Sequence, residues 1–384
     1  MTWPIKKLGD CLSQFDRGIS WSRKDEGGAV AVLRIPNIEE GHINFNDLKY
    51  IDPKNENGKL DKNDIVMVAS NSNPNLVGRS ALVTEKEKGM RFASFLVRLR
   101  LDNTILLSHY AHLFLLTPTF KRELRRKIAT TSGIYNLRKD HIEKIKIPLP
   151  PLEIQKQIVE RLDKIVGAQK LNDSLIQKTD ELFQSLLHKE LNPAGKNWEV
   201  KKLGVVFDRI TDAILPTKHP EQKFNFIGLE NIESNTSRLV NISPVQGKFI
   251  KSTKTRFKIG DVLYGKLRPY LNKVWLADFD GICSTDIWAL RAKEGIILPQ
   301  LLGAILQQSS IVQKSSASMA GANLPRANKD VFDRIAIALP PIEIQKQIVA
   351  KLSAVQDYEK QLLGQKAKLK ELFDSALAKS MSNK

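Results

Sequence analysis

Residues 149–159 read LPPLEIQKQIV, and residues 339–349 read LPPIEIQKQIV. Ten of eleven positions match at an offset of 190, which chance does not produce in a chain of 384 residues. A long-period repeat changes how everything else is read. The echo extends outward. Lys7-Leu8-Gly9 is answered by Lys202-Leu203-Gly204, each preceded by a tryptophan, Trp3 and Trp198. Asn37-Ile38 is answered by Asn231-Ile232, and Asp64-Ile65-Val66 by Asp261-Val262-Leu263. The chain therefore reads as two copies of one unit, each a divergent globular part followed by a nearly invariant segment. The divisions fall at 1–148, 149–191, 192–338 and 339–384. Alike segments imply a shared structural job or a shared partner. Divergent globular parts imply two different ligands on one scaffold.

The alike segments read as helices. Pro150-Pro151 and Pro340-Pro341 break what precedes them and permit helix only from the second proline onward. Glu153 and Glu343 then sit in first turns, where the helix dipole favours an acid. Apolar residues recur at steps of three, four or seven: Ile154, Ile158, Leu162, Leu182 and Leu186 in one segment, Ile344, Ile348, Leu352, Leu369 and Leu372 in the other. Asn192-Pro193-Ala194-Gly195 stops the first helix. Each helix would be roughly 55–60 Å long at 1.5 Å per residue. A single domain face rarely covers so many turns, so each helix is expected to pack on the other. Chain order makes the pair antiparallel. Ile154, Ile158 and Leu162 should face Leu369, Leu372 and Ala376, and Ile344, Ile348 and Leu352 should face Leu182 and Leu186.

Between the helices the sequence alternates short apolar runs with turns rich in Gly, Asn and Asp. Val30–Ile35, Ile65–Ala69, Ser80–Thr84 and Phe95–Leu101 read as strands, as do Lys223–Ile227, Val262–Tyr264, Asn272–Ala277 and Ile287–Arg291. Stretches 106–129 and 299–314 read as helical. The expected class is α+β: two mixed α/β domains at opposite ends of a long antiparallel two-helix coiled-coil spacer, with an internal pseudo-two-fold repeat.

Composition narrows the function. The chain carries 60 Lys+Arg against 42 Asp+Glu, a formal charge of +18. The segments 152–190 and 342–384 hold 14 basic and 12 acidic residues, so +16 of the excess lies in the globular parts. Nucleic acid is the first partner to consider for such an excess. Cys11 and Cys283 are the only cysteines, which argues against a disulfide framework or a cysteine zinc module. The N-terminus lacks the apolar core of a signal peptide, and the most apolar stretch, 105–116, contains Ser108, His109 and His112. A cytoplasmic protein without membrane contact is expected.

Catalytic motifs are scarce. Gly260 to Lys266 fits GxxxxGK, but Leu267 replaces the Ser or Thr that would hold magnesium, and Pro269 falls three positions after Lys266, where the phosphate-facing helix should begin. A strand leading into a basic turn explains those residues better. His109 and His112 have HxxH spacing with no Glu between them and no third ligand, which favours a core or surface role over metal. No GxSxG or GxGxxG motif occurs. The chain is expected to perform no chemistry and to bind no metal or cofactor. Loops are more informative. In the first globular part Trp21, Arg23 and Lys24, then Asn71, Asn73 and Arg79, then Tyr135, Asn136 and Arg138 combine cations, amides and aromatics. In the second, Lys266, Arg268, Tyr270 and Lys273, then Asn323 and Arg326, do the same. Arg and Lys read guanine edges, Asn reads adenine edges, and all can hold phosphates. A solvated polar loop is the plain alternative for each one alone. Their matched placement in both copies argues for DNA binding.

These residues carry a resemblance. LPPLEIQKQIVERL and LPPIEIQKQIVAKL, each after a globular part of about 150 residues, together with GDVLYGKLRPYLNKVW and CSTDIWALRAK, resemble the specificity subunit of a type I restriction-modification system. The first globular part departs from the pattern, with Asn71-Ser72-Asn73-Pro74 where the second has the KLRPYL turn. The resemblance implies a non-catalytic subunit for phage defence. Each globular part would be a target-recognition domain reading one half of a split double-stranded DNA sequence, and the helices would set the unread gap. It also implies docking of two modification (methyltransferase) subunits, which use S-adenosylmethionine, and of restriction subunits, which use ATP and Mg. The rival classes are a freestanding DNA-binding regulator and a nuclease with an unrecognised site.

Overall fold

The computed structural model describes residues 3–21, 26–39, 41–53, 55–128, 133–317, 319 and 324–381. It divides into two compact units. One comprises Met1–Asn172 with Gln365–Lys384, the other Asp173–Gly364.

In the first unit, Leu12–Arg17, Leu96–Leu101, Ile65–Val68 and Ser80–Leu82 form an antiparallel four-stranded sheet in that order. Helices Ser108–Leu115 and Pro118–Lys127 cover it. Pro118, at the first helical position with Thr117 as cap, splits what the sequence offered as one helical stretch. Ile5–Lys7 pairs antiparallel with Lys146–Pro148, closing the globular part on itself just before the proline pair. The second unit follows the same scheme. Phe207–Arg209, Ile287–Ala292, Val262–Gly265 and Val274–Leu276 form its antiparallel sheet, and Glu199–Lys202 closes against Ala336–Leu339. It also has a second four-stranded sheet built around Lys254–Phe257 and Gly281–Cys283. Among the described residues, no helix is long and apolar enough to cross a membrane.

Two long helices follow the globular parts, Leu152–Glu190 of 39 residues and Ile342–Met381 of 40. The repeated motif explains how each is docked. Gln155 and Gln345 are 0% and 1% exposed. Gln155 Oε1 accepts from the Leu107 backbone N–H at 2.9 Å, while its Nε2 donates to the carbonyls of Ile105 (3.2 Å) and Pro150 (2.8 Å). Gln345 repeats the pattern with Leu298 N–H (3.0 Å), Ile296 carbonyl (2.8 Å) and Pro340 carbonyl (2.9 Å). A buried amide with its main bonds made fixes register as well as contact. Glutamine at this place in both copies is therefore a structural requirement.

Within each unit the beginning of one long helix meets the end of the other, antiparallel. In the first, Leu162 and Ile165 share a core with Ala376, Leu377 and Met381. In the second, Phe183 and Leu187 share one with Ile348 and Leu352. The apolar stripe inferred from the sequence needs correction. Leu182, Leu372 and Ile344 are exposed, at 55%, 49% and 37%. The buried line on the first helix runs through Leu162, Ile165, Asn172, Ile176, Thr179, Phe183 and Leu187. It keeps heptad steps by passing through polar Asn172 and Thr179, which apolar counting skips. The Thr179 hydroxyl is satisfied by donating to the Leu175 carbonyl at 2.8 Å. Leu182 lies one residue off the line, Leu372 lies one residue from Phe373, which packs on the first core, and one residue is about 100° of helix. Ile154 is half-buried outside the clustered core, Ile158 and Leu186 pack at its edge, and Leu369 receives the Gln169 amide on its carbonyl at 3.2 Å. Phe183→Asp should accordingly cost several kcal/mol by burying an unpaired charge. Leu182→Asp should stay within about 0.5 kcal/mol. Thermal melting of the two variants checks this ordering.

Candidate nucleic-acid interface

Each unit begins its candidate surface at a buried aspartate. Asp64 is fully buried and accepts from Arg100 Nε (2.6 Å) and Nη2 (2.8 Å) and from the Asp61 backbone N–H (2.8 Å). Asp261, 1% exposed, accepts from Arg291 Nε (2.7 Å) and Nη2 (2.8 Å) and from Lys258 N–H (2.8 Å). The strand that follows, Ile65–Val68 or Val262–Gly265, delivers the chain to the loops singled out above. The GxxxxGK match therefore lies on a strand, whose aspartate is an anchor.

The backbone frame beyond the strand is shared. In the first unit Tyr135-Asn136 pairs antiparallel with Ser70-Asn71, Leu137 N–H donates to Ala69 (2.7 Å), and Ala69 N–H donates to Phe95 (2.9 Å). In the second, Arg326 bridges Leu267, Ala327 N–H donates to Lys266 (2.8 Å), and Lys266 N–H donates to Asp286 (2.9 Å). These matched bonds place Ala69, Ser70, Asn71, Phe95 and Asn136 where the second unit has Lys266, Leu267, Arg268, Asp286 and Arg326.

The side chains on that frame differ. In the first unit Ser70 donates its hydroxyl to Asn136 Oδ1, and Arg17 reaches Ser70 Oγ and the Leu137 carbonyl, both at 3.4 Å. Asn71 and Asn73 spend their side-chain oxygens on the N–H groups of Asn73 (2.8 Å) and Asn75 (3.0 Å), building the turn. Phe95 and Ile134 are exposed, at 58% and 47%. In the second unit Arg326 holds Asp286 at 2.9 Å. Lys266 lies half-buried with its Nζ 5.8 Å from the Trp288 ring centre, a ring that Arg209 also faces at 4.5 Å. Burial lowers the Lys266 pKa; Asp286 opposes that, and Arg326 and Arg209 reinforce it. Arg268 and Tyr270 are exposed on a 3-10 turn.

Several candidate side chains are committed elsewhere. Lys273 Nζ donates to the Leu229 carbonyl at 2.7 Å, and Arg79 reaches the Ile38 carbonyl at 3.5 Å. Tyr135 packs at the edge of the first core, and Trp21 is half-buried. Arg138 is exposed and pairs with Asp140 at 3.3 Å. Arg23, Lys24 and Asn323 lie outside the described residues. The sequence reading expected helix here but gave no binding role to the basic residues of helix Pro118–Lys127. Its Arg122, Arg125 and Arg126 are exposed, and Arg125 donates to Asn75 Oδ1 at 2.7 Å, beside the Asn71–Asn73 turn. The signal was the run KRELRRK at 121–127.

The possible reactive groups are accounted for structurally. His112 is buried, its Nε2 donates to the Ser80 carbonyl at 3.3 Å, and burial pushes its pKa down to about 4. His109 pairs instead with Asp163 at 3.2 Å, so the HxxH pair does not converge. Burial raises the Cys11 thiol and pushes that of Cys283 up to about 12, away from the thiolate a nucleophile needs. Among the described residues, no group of three or more His, Cys, Asp and Glu could hold a metal.

A family described as the type I restriction modification DNA specificity domain matches the chain twice, over residues 2–179 and 195–371. An Escherichia coli protein described as the type I restriction enzyme EcoDI specificity subunit is 28% identical over 219 residues, 56% of this chain and 48% of the relative. The matched region thus spans about half the length of that relative. The putative type I restriction enzyme MjaX specificity subunit of Methanocaldococcus jannaschii is 25% identical over 402 residues, 99% of this chain and 92% of the relative. Two solved structures share the fold over 99% of this chain. One, described as underlying complex assembly and conformational transition of the type I R-M system, has a TM-score of 0.62 at 17% identity and is covered over 97% of its length. The other, a type I restriction-modification S subunit from M. genitalium, has a TM-score of 0.60 at 15% identity and is covered over 96%.

Proposed function

Because the chain belongs to the type I restriction modification DNA specificity family, we propose that it selects the DNA on which a restriction-modification complex acts. Each globular domain reads one half of a split target in double-stranded DNA. The paired long helices, about 58 Å at 1.5 Å per residue, set the gap between the halves as a coiled-coil spacer. The chain itself is non-catalytic. Two methyltransferase subunits with S-adenosylmethionine, and restriction subunits with ATP and Mg, supply the chemistry in the cytoplasm.

The observation that carries this reading is one backbone frame holding two different surfaces. Asn71, Phe95 and Asn136 offer amides and an aromatic, while Arg268, Asp286 and Arg326 offer a charged set at the same places. Different base edges ask for such a difference. The motif helices support two equivalent partner sites. Besides the buried glutamine, they keep exposed identities that packing does not explain: Glu153, Lys156 and Gln157 match Glu343, Lys346 and Gln347, with each Glu–Lys pair at 2.8 Å.

The test is to exchange residues 1–148 for the matching part of a relative and map methylated sites in cells carrying the whole system. One half of the target should change and the other persist. Both halves changing together would overturn independent reading.

A further inference from the structure

We propose that Arg238 is a positioning residue for sequence reading, clasping the long helices and holding the turn that carries Arg268 and Tyr270. The inference rests on the DNA-recognition reading above and adds a specificity-determining residue that touches no DNA.

Arg238 lies on a hairpin closed by the Ile232–Leu239 bridge and by Glu233 N–H donating to the Arg238 carbonyl at 2.9 Å. Its guanidinium meets three carboxylates. Nε donates to Glu359 on the second long helix, Nη2 to Asp180 on the first, and Nη1 lies 3.5 Å from Glu233 on its own hairpin. Glu359 is only 9% exposed, and Arg238's side chain is 21% exposed. One cation among three acids leaves a net charge of −2, so the cluster holds together only while the arginine is present.

The other end of the hairpin grips the reading turn. Asn235 N–H donates to the Asn272 carbonyl at 3.1 Å, and Asn272 Nδ2 donates back to Asn235 Oδ1 at 3.1 Å. Asn272 ends the 3-10 turn Pro269–Leu271, and Arg268 begins it. All four hinge positions are left-handed: Asn235 (φ 67°), Ser237 (φ 58°), Arg268 (φ 52°) and Asn272 (φ 48°). Non-glycine residues keep such a conformation only where their surroundings impose it. The chain of contacts therefore runs from both helices through Arg238 and Asn235 to the turn, and Arg238 is what ties the strained hairpin to both helices.

The first unit is anchored differently. Its corresponding hairpin is closed by the Ile38–Ile43 bridge. Gly41 N–H donates to the Ser80 carbonyl at 3.0 Å, and Glu39 pairs with His42 at 2.8 Å. No arginine lies between Ile38 and Ile43. Among the described residues this three-carboxylate clasp is seen in the second domain, so its loss should affect one half-site.

The experiment uses the full chain in its assembled complex, with duplexes carrying the mapped target, the target with its first half scrambled, or the target with its second half scrambled. Arg238→Gln should lower discrimination at the half read by the second domain by about tenfold or more, the equivalent of losing one charge-assisted bond. Discrimination at the other half should be unchanged. Arg238→Lys, which keeps the charge without the fork, should recover part of the loss. Adding Asp180→Asn and Glu359→Gln to Arg238→Gln removes the like-charge repulsion. This triple variant should melt near the unaltered protein yet still fail at the second half. Normal discrimination in either the single or the triple variant would overturn the proposal. An unaltered complex that discriminates at neither half would instead sink the DNA-recognition reading itself.

Discussion

Raising salt from 50 to 200 mM should weaken DNA binding by the assembled complex by about a thousandfold if six phosphates are neutralised, since log affinity falls by about 0.9 per log unit of salt for each. The charge is in place for this. The formal excess is +18; the first unit's exposed Arg125 bonds Asn75 in the turn 71–75, exposed Arg122 and Arg126 share its helix, and exposed Arg138 follows the strand at Tyr135. Replacing Arg122, Arg125 and Arg126 together with alanine should lower the slope by roughly 2.7 and weaken all sequences alike, because phosphate contacts do not read bases. Binding titrations at four salt concentrations measure it. An unchanged slope in the triple variant would remove this helix from the interface, and a flat line in the unaltered complex would remove the electrostatic account.

Asp64→Ala should be among the most damaging single changes, at about 3–5 kcal/mol. That is a large share of the roughly 5–15 kcal/mol that holds a domain folded. Asp64 answers two arginines, Arg100 at 2.6 Å and Arg98 at 3.5 Å, and Arg98 is only 5% exposed. Arg98 keeps Asp16 at 2.6 Å but, buried, loses its second carboxylate, a loss added to those of Arg100 and the Asp61 N–H. Asp261→Ala should cost less, about 1–3 kcal/mol. Its partner Arg291 is 46% exposed and can rehydrate, and Ala289 stands where the first unit has Arg98. The midpoint for the first unit should fall on the order of 10 °C, giving an early separate transition in a melting curve. Equal losses from the two changes would show that burial of the second arginine is not what makes Asp64 costly.

The division between the legible and the illegible follows the range of the interactions. Helix limits at Leu152 and Ile342 were readable because a proline pair and an acidic first turn act within a few residues. Strand positions around Ile65, Leu96, Val262 and Ile287 were readable because alternation and turn residues are local too. The tandem two-domain plan needed only two matching stretches of sequence. Which face of each long helix is buried was readable only in part. Asn172 and Thr179 occupy the buried line while Leu182 and Leu372 face water, and that phase is chosen by the surface each helix packs against. The job of Gln155 and Gln345 was equally hidden, since the repeat showed that glutamine recurs but not that it stitches helix to domain. The surface of the second domain depends on partners far apart in sequence. Arg238 meets Asp180 and Glu359 across separations of 58 and 121 residues, and Arg326 meets Asp286 across 40. Pairings at such range come into being only when the chain has folded, so composition and spacing carry the charge of the site while tertiary packing decides which charges remain available to bind.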